Sequence, residues 1–130
     1  MGRGTPGPYS DTDVLLVAEP LPAGRLRRME DFSAVEVELG PALEAAARAG
    51  CYTTVSPVFK TPAEVASGSL LFLDMIEDAR LLIDRGASFR QHLSAFAQRL
   101  SELGARRIRR GSSWHWDLKP DYERGEVFQL

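Results

Sequence analysis

The sequence has 130 residues, 44% of them hydrophobic and 26% charged, with a formal net charge of −2. That length suits one domain with a modest core. The composition excludes disorder of the whole chain, and the charge excludes a polyanion-binding role spread over the whole surface. The one cysteine, Cys51, excludes an internal disulfide and a cysteine-built zinc site and fits a reducing compartment. No apolar run is long enough to span a bilayer, and the N-terminus carries no signal-peptide stretch. A cytoplasmic chain with no membrane partner is expected.

Residues 1–10 hold three Gly and two Pro, so a flexible loop is expected there. Val14 to Ala18 is a short apolar run closed by Pro20 and Pro22, which predicts a buried strand over roughly residues 12–18. Residues 24–39 carry two patterns. Ala34 to Leu39 alternates like a strand, while Leu26, Met29, Phe32, Val35 and Leu39 recur at helical spacing. The longer pattern favours a helix that stops before Gly40-Pro41. Pro41 then opens a second, Ala-rich helix that Gly50 ends.

Cys51 to Lys60 reads as a second strand, with Pro57 requiring an edge or a bulge. Thr61-Pro62-Ala63-Glu64 is a capping box with proline in the first helical position. Leu70 to Asp78 reads as a helix and Leu81 to Ile83 as a short strand. Ser88 to Leu103 is the clearest amphipathic helix, with Phe89, His92, Leu93, Phe96, Leu100 and Leu103 on one face and Gly104 as its cap. From Ala105 to Leu130 a hairpin and an extended tail are expected, with Gly111-Ser112-Ser113 as the turn. The fold class is therefore α+β: a single domain over 1–130, with one mixed sheet packed against helices and a C-terminal helix plus hairpin.

The run Ser10-Asp11-Thr12-Asp13-Val14 carries the strongest chemical signal. Carboxylates at i and i+2 entering a strand point to one face. Ionised, they repel; a divalent cation between them removes that cost. Hard oxygen donors suit Mg²⁺ (or Mn²⁺), which keeps waters and takes further ligands from substrate phosphates. Such ions activate a hydroxyl nucleophile and stabilise a leaving pyrophosphate. The competing reading of Asp11 and Asp13 is a solvated strand entry.

The other candidates have plainer readings beside them. Arg107, Arg109 and Arg110 with Trp114 and Trp116 could form a stacking and phosphate-binding surface for nucleic acid or a partner, and a hairpin covering a helix would look the same. His115 should point away from both indoles. His92 reads as a partly buried, hydrogen-bonded core histidine. Asp74, Glu77 and Asp78 read as a solvated acidic helix face, and Cys51 as a small core residue.

The Gly-rich lead into Ser10-Asp11-Thr12-Asp13 and its apolar strand resembles the signature of minimal nucleotidyltransferases of the DNA polymerase β superfamily. Ser56-Pro57-Val58, Thr61 to Glu64, Leu73 to Ala79, Glu102 to Arg107, Trp116 to Tyr122 and Gly125 to Val127 are similar to later segments of bacterial and archaeal members. The resemblance implies a nucleotidyltransferase-like core and an enzyme that moves a nucleoside monophosphate from a nucleoside triphosphate to an acceptor hydroxyl. Asp11 and Asp13 would be the catalytic metal ligands. Arg3, Gly4 and Ser10 would lie near the nucleotide.

Two departures accompany the resemblance. The family's Gly-Ser pair would fall just before Met1, so the chain reads as N-terminally shortened or as starting elsewhere. The third carboxylate position is vacant, with Thr54 standing there; Glu36 or Glu38 could fill it only if residues 34–39 were a strand. The alternative is a non-catalytic or degenerate member of the same fold. It would act as an antitoxin-like partner of a helical protein, or as a homodimer paired through an exposed sheet edge. The acceptor, under the enzymatic reading, could itself be a partner protein.

Overall fold

The computed structural model describes residues 10–111 and 113–130. The chain divides between Ser67 and Gly68 into two compact units. The class is α+β, with a C-terminal helix and an antiparallel hairpin. The strands do not merge into one mixed sheet. Among the described residues they form two separate pairs, one parallel and one antiparallel.

The first unit contains β1 (Thr12–Val17), α1 (Arg25–Arg48), β2 (Val55–Lys60) and α2 (Pro62–Ala66). β1 and β2 run parallel in unbroken register from Thr12 opposite Val55 to Val17 opposite Lys60. Pro57 sits in that register without a bulge. It is tolerated because β2, among the described residues, pairs on one side only.

α1 crosses the segment between the strands, as a parallel pair requires. It is one continuous helix that contains Pro41, not two helices separated at Gly40-Pro41. Gly40 has no Cβ to clash with the proline ring, and the carbonyl that loses its donor, that of Val37, lies on an exposed stretch. Helical residues 34–39 also exclude Glu36 and Glu38 as strand-borne carboxylates. The end of α1 is fixed as expected. Gly50, at φ +85°, lets the Gly50 and Cys51 N–H groups donate to the carbonyls of Ala47 and Ala46, the paired bonds of a Schellman cap. The cap turns Cys51 outward, so the cysteine is exposed and not a core residue.

Phe32 of α1 packs edge-on against Phe59 of β2 at 5.8 Å. Strand alternation then assigns Thr12, Val14, Leu16, Val55, Pro57 and Phe59 to the face that α1 covers, and Asp11, Asp13, Thr54 and Ser56 to the opposite face. The capping box forms as the sequence predicts: the Glu64 N–H donates to Thr61 Oγ1 at 3.1 Å and the Thr61 N–H to Glu64 Oε2 at 2.7 Å. Glu64 also receives a two-pronged bond from the Arg28 guanidinium at 3.0 and 3.1 Å. Arg28 reaches the Pro22 and Phe59 carbonyls as well, so a single arginine ties the start of α1 to β2 and α2.

The second unit contains α3 (Phe72–Asp78), α4 (Ser88–Glu102), β3 (Arg106–Arg110) and β4 (Ser113–Asp117). Its core is aromatic. Phe72 is fully buried and meets Phe89, His92 and Phe96 edge-on at centroid distances of 5.8, 5.1 and 6.3 Å. Asp84 caps α4 by accepting from the Phe89 and Arg90 N–H groups. At the other end Gly104, at φ +69°, closes a second Schellman cap in which Gly104 and Ala105 donate to Ser101 and Leu100. Leu81 to Ile83 is not a strand; Leu82 and Ile83 are 75% and 82% exposed. The short connection from α3 to the Asp84 cap offers them no strand to pair with. No helix among the described residues is long and apolar enough to cross a membrane.

Candidate functional site

The geometry of the acidic pair follows from the parallel register. Asp11 precedes β1 and Asp13 lies within it, so the two exposed carboxylates project from the same face about 6.6 Å apart along the strand. Across from them stand two hydroxyls. Thr54 Oγ1 donates to Asp11 Oδ1 at 2.7 Å, and Ser56 is the register partner of Asp13. Thr54 thus occupies the position beside Asp11 with a neutral donor in place of an acid.

Around this face the backbone is held by a second hydroxyl chain on the other side of the sheet. Thr53 Oγ1 donates to the Ser10 carbonyl at 2.7 Å and lies 2.9 Å from Thr12 Oγ1. The Thr12 N–H donates to the Thr54 carbonyl at 2.8 Å. These bonds fix where Ser10 and Asp11 enter the strand, and they are the part of the site that sequence reasoning missed. The signal was present: Thr54-Val55-Ser56 repeats, with hydroxyls, the i, i+2 spacing of Asp11-Thr12-Asp13.

As a donor set, the pair suits a hard divalent ion that keeps most of its water. Two carboxylate oxygens come from the protein, and further oxygens come from solvent and substrate phosphates. It does not supply a dedicated cage. Among the described residues no three His, Cys, Asp or Glu side chains gather into a metal-holding group. Arg3 and Gly4, expected near the nucleotide, lie outside the described residues, as does the rest of the loop expected over 1–10 apart from Ser10.

The hairpin brings Arg107, Trp114 and Trp116 together. Register places Arg107 opposite Trp116 and Arg109 opposite Trp114, with His115 on the other face. The Arg107 guanidinium lies 4.0 Å from the centre of the Trp114 ring. It is bonded to Glu77 and, at 2.8 Å, to Asp78, with Asp74 at 3.8 Å. Trp116 Nε1 donates to the same Asp74 carboxylate at 3.3 Å. The acidic face of α3 is therefore not simply solvated; it anchors the hairpin. Arg107 has only 17% of its side chain exposed, so its charge is spent within the unit. Burial alone would lower the Arg107 pKa, but the bonds from Asp78 and Glu77 outweigh it and raise the value. Arg109, whose Nε donates to the Gly111 carbonyl, and Arg110 are exposed.

His92 is half-buried against Phe72, Phe89 and Phe96, and the hydrogen bond the sequence suggested is not made at its buried nitrogen. Its buried Nε2 has no partner among the described residues. Desolvation lowers its pKa, favouring the neutral ring. Glu64 shows the opposite logic for an acid: the Arg28 bond first, and the Thr61 N–H second, hold its carboxyl down to about 2. In comparisons with protein-family models, curated proteins and solved structures, nothing significantly matches this chain.

Proposed function

We propose that this chain carries the metal-binding half of a nucleotidyltransferase site. In this reading it moves a nucleoside monophosphate from a nucleoside triphosphate to an acceptor hydroxyl. The observation that carries the reading is the pair of exposed carboxylates, Asp11 and Asp13, on one face of β1, with Thr54 bonded to Asp11. It stands beside the resemblance of Ser10-Asp11-Thr12-Asp13 and the following strand to the superfamily signature.

In this account Asp11 and Asp13 hold Mg²⁺ or Mn²⁺ against the triphosphate. The ion, when bound, supplies charge neutralisation and activates the acceptor oxygen. Thr54 holds the rotamer of Asp11 by donating to one of its oxygens. Ser56 offers a neutral hydroxyl beside Asp13, so no added negative charge opposes an incoming phosphate. Arg3, Gly4 and Ser10 belong to the nucleotide-binding part of this reading through the resemblance. Arg109 and Arg110 are the exposed cations of the hairpin that a nucleic-acid acceptor or partner would meet.

Incubation with α-phosphate-labelled nucleoside triphosphates, Mg²⁺ and a host-cell extract as the acceptor source tests the reading. Label should pass to a macromolecule with the wild-type chain and not with Asp11→Asn/Asp13→Asn. Equal labelling by the double variant would remove the carboxylates from the mechanism. A second reading, a non-catalytic module of the same fold, is favoured by one specific observation. The position beside Asp11 holds neutral Thr54, and no third acid joins the pair among the described residues. That reading predicts no transfer with any extract and retained partner binding in the double variant.

A further inference from the structure

The second unit has a pocket of about 550 Å³ beside the end of β4, and the proposed chemistry uses none of its lining. Three aromatic side chains line it: Trp116, Tyr122 and Phe128. Trp116 is held by the bond from its Nε1 to Asp74 at 3.3 Å. Tyr122 and Phe128 stand 6.3 Å apart with their rings inclined at 67°, so they form two non-parallel walls. The loop between them is stapled. The Tyr122 N–H donates to the Lys119 carbonyl at 3.0 Å, and the Lys119 ammonium donates to Glu126 at 2.6 Å. Even so, Tyr122 is 52% exposed.

The charges narrow the kind of ligand. Asp117, Lys119 and Glu126 are the ionic side chains of the lining. Lys119 and Glu126 neutralise each other. Asp117 is half-buried, and its carboxylate makes no hydrogen bond or ion pair among the described residues. Its register partner Arg106 is exposed, forms no ion pair with it and does not line the pocket. The pocket therefore sets one uncompensated negative charge beside aromatic rings. An anionic occupant would be repelled. A neutral occupant would strip water from the carboxylate and put nothing in its place. A cation offsets that loss and is attracted to the negative faces of the rings as well. Ring walls offer few lone pairs to N–H donors, so a cation with methyl groups in place of those donors fits better than a bare ammonium.

We propose that this pocket binds a methylated ammonium group, carried by a small molecule or by a methylated lysine side chain, with Asp117 as its counter-ion and Trp116, Tyr122 and Phe128 as its walls. The site goes beyond the nucleotidyl-transfer reading, shares no residue with the acidic face of β1 and does not depend on it.

NMR titration of the whole chain with choline tests it, read at the indole N–H of Trp116 with that of Trp114 as the internal reference. The comparison ligand is the neutral carbon isostere of choline, with a tert-butyl group in place of trimethylammonium. Choline should shift the Trp116 signal saturably, and the isostere should bind about tenfold more weakly. Asp117→Asn and Tyr122→Leu should each weaken choline binding about fivefold, and Asp117→Asn should leave the isostere no weaker. A peptide carrying trimethyl-lysine separates the two sources: tighter binding than choline assigns the site to a modified protein, weaker binding to a free small molecule. Equal binding of choline and its isostere by the wild-type chain overturns the proposal. So does a choline response that Asp117→Asn leaves unchanged, or no response at Trp116 up to about 50 mM choline. The comparison of the two ligands needs no variant, so a substitution that unfolded the chain could not decide the outcome.

Discussion

Thr54 gives the sharpest handle on the acidic face. Its hydroxyl lies 2.7 Å from Asp11 Oδ1, so Thr54→Asp puts a third carboxylate within bonding reach of an ion held by Asp11 and Asp13. Two unit charges 4 Å apart interact by about 1 kcal/mol in bulk water. This face is exposed, so the water value is the appropriate one. A dication doubles the attraction to about 2 kcal/mol, which corresponds to a gain of about 30-fold in affinity. The new carboxylate also repels Asp11, but that repulsion is present with and without the ion and cancels from the binding difference. Thr54→Val adds no charge and serves as the control, with an expected change within about tenfold. Calorimetric titration of Mn²⁺ into the three proteins reads the effect directly. If Thr54→Asp binds Mn²⁺ no better than Thr54→Val, the geometry attributed to Asp11, Asp13 and position 54 is wrong.

Three further outcomes follow from the packing and the ionic contacts. Phe72 is the fully buried hub of the second unit, so Phe72→Ala should cost about 3–5 kcal/mol, most of the roughly 3–9 kcal/mol expected for a unit of this size. Both tryptophans lie in that unit, and their fluorescence should show its urea midpoint sharply lowered; a native-like midpoint would contradict the assigned core. Burial lowers the His92 pKa below its ordinary 6.5, so the folded unit binds fewer protons than the unfolded chain. Its stability should be full above pH 6.5 and fall as pH drops below it, and His92→Phe should flatten that dependence in urea melts followed by tryptophan fluorescence. Glu64, held at about 2 against an ordinary 4.5, contributes stability that is complete above pH 4.5 and lost as pH falls toward 2. Circular dichroism melts should show the wild-type advantage over Glu64→Gln shrinking across that window and constant above it.

What the sequence made legible was mostly local. The Thr61–Glu64 capping box, the Gly50 and Gly104 caps and the pairing of β3 with β4 each depend on a few adjacent residues, and each is in the structure, while Ser112 of the expected turn lies outside the described residues. The α4 stripe was equally readable because fifteen residues repeat one period. Pro41 was misread because proline usually ends a helix, whereas Gly40 removes the steric part of that penalty and solvent takes the freed carbonyl. The strand expected at Leu81 to Ile83 rested on composition alone, and a strand needs a partner. Long-range contacts were the least legible. Nothing near Arg107 in sequence shows that Glu77 and Asp78, some thirty residues earlier, would consume its charge. In the same way, the Thr54 hydroxyl reaches Asp11 only through the parallel register of two strands separated by a 24-residue helix.

In the proposed site Asp11 and Asp13 would hold a divalent ion against a nucleoside triphosphate. Isothermal titration of ATP, with and without Mg²⁺, into the wild-type chain and into Asp11→Asn/Asp13→Asn tests it most directly. Saturable binding that requires Mg²⁺ and disappears in the double variant is the expected result. Binding of equal strength in the double variant, or none in the wild-type chain, would contradict it.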